Sequence, residues 1–339
     1  MERQLAAVVP WAPRCVLAES PRWHAGRWWW IDAQQGLVFR SAPSASSTQA
    51  ASGEPARAWL STGERVSVVH PAIPQAASTP EVARSGRDTP VSPSVSRQDR
   101  ATSRPPAGAM LVARGAVLQL YRDAGDDGPA IPGPVLAEVP LPAGWLVNDG
   151  LAGPAGGFYI GVVHPERDPG SGYLQHVRPN GTLGGRVAGI GLSNGMAVHT
   201  AGDLLYHADS TGRVVWAHRL DGRGDVAGST VHLRFDPDDG MPDGLAMDVA
   251  GGLWVAVYGA GEVRRYAPSG ELDLVVSVPT PQVTSVALGG PDNHDLLVTT
   301  AREGYDDRRS AAEPLAGRLF SARSAHPGQP LFPVGFPAG

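Results

Sequence analysis

Short, mostly apolar runs recur along the chain, each cut off by a glycine-bearing turn, and no segment of useful length shows helical periodicity. The pattern is clearest in Gly244-Leu245-Ala246-Met247-Asp248, a turn at Gly251-Gly252, Leu253 to Tyr258, a turn at Gly259 to Gly261, and Glu262 to Tyr266. The same order of elements returns in Gly195 to Val198, Asp203 to Ala208 and Arg213 to Leu220, and in Trp28 to Asp32 followed by Gly36 to Arg40. Runs of this length with turn punctuation predict strands joined by hairpins. Within Trp28-Trp29-Trp30, strand alternation sends neighbouring rings to opposite faces, so at least one must pack on a neighbouring unit.

The strand groups repeat. From Asn148 to Ser193 is 45 residues, from Ser193 to Pro242 49, from Pro242 to Val283 41, and from Ser20 to Val66 46. Units of this size match a four-stranded propeller blade. Six such units open near Ser20, Val66, Asn148, Ser193, Pro242 and Val283. The expected fold is therefore all-β: one domain, a six-bladed β-propeller of four-stranded antiparallel blades over residues 15–325. Residues 1–14 are expected as an N-terminal extension and 326–339 as a C-terminal tail. Residues Cys15 to Ala18 are expected to lend a strand to the last blade, whose own last strand is placed at Arg318 to Ala322, so that no edge is left open. Only the interval from Val66 to Asn148, 82 residues, breaks the rhythm. The excess falls in 72–106, rich in Ser, Pro, Thr, Ala and Arg and without an aromatic residue. Such composition buries too little surface to offset its ordering entropy, and a disordered insertion in the second blade is expected.

Composition narrows the chemistry. All 28 basic residues are arginine, which excludes a lysine Schiff base or lysine general base. A net charge of −5 gives no reason to expect nucleic-acid binding, and no apolar run is long enough to span a bilayer. Cys15 is the single cysteine, so no internal disulfide can form, and it is expected as a buried thiol. With no signal-peptide pattern at the N-terminus, a cytoplasmic location is expected, with a small-molecule substrate as partner and a monomer or homodimer as the assembly. No phosphate-binding glycine loop, zinc-type Cys/His spacing or serine nucleophile elbow is present.

Candidate chemistry lies in four landmarks: Glu19-Ser20-Pro21, Asn148-Asp149-Gly150, Ser193-Asn194-Gly195 and Pro242-Asp243-Gly244. Each comes just ahead of a short apolar strand and offers an oxygen-bearing side chain, as though each blade gave one ligand to a common point. Carboxylate and amide oxygens suit hard divalent cations such as Ca²⁺, Mg²⁺ and Mn²⁺, and Zn²⁺ is also accommodated. Any one of these pairs alone reads as an ordinary turn. Four at blade spacing favour a cation site. An open position on the cation would polarise a carbonyl, and a carboxylate beside its water would accept the proton.

These segments, in order, resemble the SMP-30/gluconolactonase/regucalcin-like family of six-bladed propellers. The likeness is carried by Ala18 to Trp23, Asn148-Asp149-Gly150 with Phe158 to Gly161, Ser193 to Met196 with Tyr206 to Ser210, and Pro242 to Leu245 with Leu253 to Ala256. It implies one divalent cation held by Glu19, Asn194 and Asp243, with Asp243 also the general base. Asn148 would contact the cation through water or bind substrate, and Glu166 keeps the spacing of a glutamate that contacts substrate in some members. The implied activity is metal-dependent opening of a lactone or related ester.

Two departures from the family pattern bear on substrate. An arginine that contacts sugar hydroxyls in the family is here Leu146, which predicts a less polar substrate unless another donor, such as Arg167, moves in. His164 stands where the family rarely has histidine and reads equally as a pocket acid or base and as a solvated loop histidine. These departures motivate a rival reading, a metal-assisted cyclase, isomerase or eliminase of specialised metabolism; a non-catalytic metal-binding or interaction propeller is a third. His207 is expected to be structural, and Asp32 and Asp209 are expected to bind backbone N–H groups at strand ends.

Overall fold

The structure, a computed structural model, describes residues 1–42, 56–75, 108–124 and 128–337. Six small antiparallel sheets form a ring, the expected six-bladed propeller with four-stranded blades. From channel to periphery, blade 3 is Leu146–Ala152, Phe158–Val163, Gly172–Val177 and Leu183–Ile190. Blade 4 is Ser193–Val198, Leu204–Asp209, Val214–Leu220 and Val226–Arg234, and blade 5 is Met241–Met247, Leu253–Tyr258, Glu262–Tyr266 and Leu272–Ser277. Blades 1, 2 and 6 have Ala18–His24, Val66–Gln75 and Val283–Gly289 as their innermost strands. One short helix, Asp307–Ala312, lies in a loop of blade 6. Among the described residues no helix is long and apolar enough to cross a membrane.

Blade faces pack on one another as the alternation demands. Trp28 and Trp30 join Leu297 and Leu319 of blade 6, whereas Trp29 and Ile31 join Val66, Met110 and Val112 of blade 2. All three rings are buried. Burying a side chain of this size is worth at least about 1.5–3 kcal/mol. Asp32 accepts the N–H groups of Val16 and Leu17, and Asp209 those of Gly191 and Gly212, both clamping strand ends as expected.

The termini differ from expectation. Residues 1–14 contribute two strands to the ring: Ala7–Val8 is the outermost strand of blade 6, antiparallel to Phe320–Arg323, and Glu2–Leu5 adds a parallel fifth strand to blade 5. Blade 6 is thus closed by Ala7–Val8 rather than by Cys15 to Ala18. Leu17 makes a single bridge to Ala301, and Ala18 opens the innermost strand of blade 1. The C-terminal segment lies across the far end of the channel, where Gln329 bonds Met247 and Val198, and then pairs Val334–Pro337 in parallel with Ala72–Gln75. Residues 72–75 of the expected insertion therefore belong to a strand. The rest of it, 76–106, lies outside the described residues.

Every innermost strand carries a register break at the same height, between Glu19 and Arg22, Val66 and Val68, Val147 and Gly150, Ser193 and Met196, Pro242 and Leu245, and Val283 and Ser285. A bulge re-aims side chains and frees backbone groups. Here carbonyls beside the breaks are taken by side chains of the preceding blade. Thr284 donates to Ala18 O at 2.6 Å, Ser20 to Val69 O at 3.3 Å, Ser67 to Val147 O at 2.5 Å, Asn148 to Ser193 O at 3.1 Å and Ser210 to Pro242 O at 2.6 Å. The Asn-Gly and Asp-Gly landmarks are therefore bulges in strands rather than turns.

Candidate active site

The bulges aim their side chains into the channel mouth. A solvent-open cavity of about 670 Å³ there is lined by Glu19, Asn148, Asn194 and Asp243 together, each from a different blade. Two glycines allow this convergence. A Cβ on Gly195 would lie 2.4 Å from the backbone of Asp243 to Leu245, and one on Gly244 2.0 Å from Ser285 Oγ. Only glycine lets these inner strands approach so closely.

Glu19 and Asp243 are poorly compensated. Burial, and then the neighbouring Asp149, push the Glu19 carboxyl up to about 8. Burial and the charge of Glu19 hold Asp243 well above the usual carboxylate range. Asp243 Oδ1 is buried with no hydrogen-bond partner among the described residues. Asp149 is buried beside Arg22, and its Oδ1 accepts the Gly150 N–H at 2.6 Å. Asn148 donates to Ser193 O and, at 3.3 Å, to Asn194 Oδ1, while Asn194 donates to Ser210 Oγ at 3.2 Å. Both amides are thus fixed by their neighbours.

Among the described residues no three His, Cys, Asp or Glu side chains cluster at ligating distance. The donor set is two carboxylates plus amide oxygens, and an orphaned carboxylate oxygen beside a second repelled carboxylate fits a hard cation. Glu19, Asn194 and Asp243 are the residues that would hold it.

The predicted substrate contacts fare differently. Leu146, His164 and Glu166 are not among the residues lining the cavity. The bulge after Val147 breaks the alternation that would have set Leu146 beside Asn148, and Leu146 pairs with Val163 at the strand's start. His164 packs edge-on against Trp145 at 5.0 Å, and its Nδ1 accepts the Glu166 N–H at 3.2 Å. It shapes its own loop. Glu166 is exposed on that loop. The cavity instead gains Arg65, Arg167, Tyr258, Ser210, Thr284 and Glu303. Arg65, Arg167, Ser210 and Glu303 lie in loops, Thr284 lies at a bulge and Tyr258 ends the strand Leu253–Tyr258; of these only Arg167 is expected from the sequence, as a replacement donor.

Behind Asn194, blade 4 carries a chain of hydrogen bonds across its full width. Ser193 Oγ meets His207 Nε2 at 2.7 Å, His207 Nδ1 meets His218 Nε2 at 3.3 Å, and His218 Nδ1 meets Ser229 Oγ at 2.8 Å. His207 is structural, as expected. Burial holds its pKa well below 6.5 and pushes His218 down to about 4. The unfolded chain takes up these protons near 6.5, whereas the folded chain takes up that of His218 only at about 4 and that of His207 well below 6.5, so stability present above 6.5 drains away as pH falls below it. We expect the melting temperature to drop with that fall in pH and His218→Gln to flatten the drop. An unchanged slope in that variant would show that the imidazoles are not its source.

The chain matches the SMP-30/Gluconolactonase/LRE-like region over residues 17–302 and belongs to that family. Among its relatives it is 33% identical over 188 residues to the 6-deoxy-6-sulfogluconolactonase of Pseudomonas putida and 34% identical over 192 residues to a pentonolactonase of Haloferax volcanii. Each alignment covers 55% of this chain and 65% of the relative, so the matched part spans just under two thirds of those proteins. In fold it is similar to a regucalcin from Agrobacterium tumefaciens described as a calcium-binding protein, with a TM-score of 0.76, 24% identity and 98% of each chain covered.

Proposed function

We propose that this protein is a divalent-cation-dependent hydrolase that opens a lactone or related ester in the cavity at the channel mouth. The observation that carries the reading is the unpartnered Oδ1 of Asp243 beside Glu19, at the point where four blades of a lactonase-family propeller deliver their oxygen ligands. Relatives named for lactone opening, and a fold neighbour described as calcium-binding, support it. The expectation of a less polar substrate rested on Leu146, which stands outside the lining, and we do not extend it. The rival reading of a metal-assisted cyclase or isomerase rested in part on His164, which Trp145 and its own loop account for.

A cation held by Glu19, Asn194 and Asp243 would supply the positive charge that draws electrons from the lactone carbonyl. Asp243 takes the proton of the attacking water. In the cation-free protein burial, and then the charge of Glu19, raise its proton affinity. Asn148, fixed by Ser193 and Asn194, presents its Oδ1 to a substrate hydroxyl. The test is turnover of a panel of γ- and δ-lactones with cation, after chelation, and after cation is restored. We expect hydrolysis to vanish on chelation and return with the cation. Hydrolysis that survives chelation, or cation binding without turnover of any lactone, would sink the reading.

A further inference from the structure

The cavity holds two guanidinium groups that the reaction just described does not use. Arg65 sits immediately before the innermost strand of blade 2, half-buried, and its Nε is buried with no hydrogen-bond partner among the described residues. Arg167 sits on the loop between Phe158–Val163 and Gly172–Val177 of blade 3, exposed at the rim. Neither forms an ion pair within 4 Å among the described residues, whereas Arg40, Arg114, Arg178, Arg264, Arg265, Arg309 and Arg323 all do. The nearest charges to Arg65 are Glu303 and Glu19, with Arg167 adding to the positive side. Glu303 is itself engaged, accepting from Gln34 Nε2 at 2.5 Å.

Arg167 is also held where it is at a cost. Its φ of +55° is in the left-handed region, which non-glycine residues enter at a cost of about 1–3 kcal/mol and mostly at functional sites. The loop fixes it there: Arg167 N–H donates to His164 O at 3.0 Å, and His164 is braced by Trp145 and the Glu166 N–H. Acidic ligands thus come from the inner strands, and free guanidinium donors come from loops around them. A planar guanidinium with unused donors suits a carboxylate or another oxyanion, which it grips with paired hydrogen bonds.

We propose that Arg65 and Arg167 form an anion subsite, and that the cavity takes lactones bearing a ring carboxylate or comparable oxyanion, the anion at the rim and the lactone carbonyl toward Asp243. This deepens the lactonase reading and rests on it. The experiment compares 5-oxotetrahydrofuran-2-carboxylate with its neutral amide as substrates, in wild type, Arg65→Gln and Arg167→Gln, and measures binding of the unreactive tetrahydrofuran-2-carboxylate and its amide by calorimetry. In wild type the carboxylate should exceed the amide in kcat/KM by roughly tenfold or more, and added salt should shrink the ratio. Each variant should bring the ratio toward one, Arg167→Gln without loss of melting temperature. Lactones that open with a ratio near one in wild type, or with a ratio unchanged in both variants, overturn the subsite and leave the lactonase reading standing. If neither lactone opens, the lactonase reading fails, and calorimetry decides the subsite: equal binding of acid and amide, or binding indifferent to both variants, overturns it.

Discussion

Asp243→Asn is expected to cost roughly 10²–10⁴ in turnover and at the same time to make the cation-free protein more stable. The two effects share one origin. Asp243 Oδ1 has no hydrogen-bond partner among the described residues, and its charge opposes that of Glu19. Because the folded-state proton affinities of both carboxyls lie above their unfolded values, the folded state binds more protons once pH exceeds the ordinary carboxylate range. Stability is therefore lost as pH rises, through about 8 for Glu19. Asparagine keeps the shape and removes one of the charges. A gain of about 0.5–2 kcal/mol is the usual return when a strained functional group is relaxed. Thermal melting of chelated wild type and variant at pH 8, beside lactone turnover with cation, measures both. A variant that melts lower would show that Asp243 holds the fold together, and one that turns over normally would remove it as the base.

Arg265→Met should be among the most destabilising single changes in the chain, at about 3–5 kcal/mol. Asp248 is fully buried, with Oδ1 accepting from Ala250 N at 3.0 Å and Gly252 N at 2.9 Å, and Oδ2 accepting from Trp254 Nε1 at 2.9 Å and Arg265 Nε at 2.7 Å. Arg265 also pairs with Asp273. Although burial pushes the Asp248 carboxyl up, these donors, with Arg265 foremost, hold it below its ordinary value. Without the guanidinium a carboxylate stays buried and uncompensated. The cluster anchors the turn that follows Met241–Met247, the strand carrying Asp243, so activity should fall with stability. Urea unfolding checks the size of the effect. Adding Asp248→Asn to Arg265→Met should recover much of the loss; if it recovers none, the cost lies in packing rather than in the orphaned charge.

The ring was legible in the sequence because each blade begins with a bulged inner strand, and a bulge selects glycine, asparagine, serine or proline at fixed distance from an apolar run. Asn194-Gly195 and Asp243-Gly244 therefore mark both the repeat and two residues of the cavity lining. The strand Glu2–Leu5 carries Glu, Arg and Gln among its residues and acquires its identity only from the blade it joins, so nothing local announces it. The C-terminal crossing is hidden for the same reason. Arg65 and Arg167 were the least visible as a pair, since loop residues converge by topology rather than by period. Leu146 lies outside the cavity lining, because alternation fails across the bulge after Val147.

The pairing of Ala7–Val8 with Phe320 and Ser321 has a consequence for how the molecule comes into being. Synthesis proceeds from the N-terminus, so Ala7–Val8 is made before the blades and meets its partner only after blades 1 to 5 have emerged. That contact is among the most remote in sequence that the chain makes, and such contacts form slowly. Until then the ring stands open like an unfastened bracelet, with blade 6 offering a bare edge to any extended chain nearby. Completion of the last blade is thus the moment at which the protein passes from a string of sticky hairpins to a closed and self-contained object.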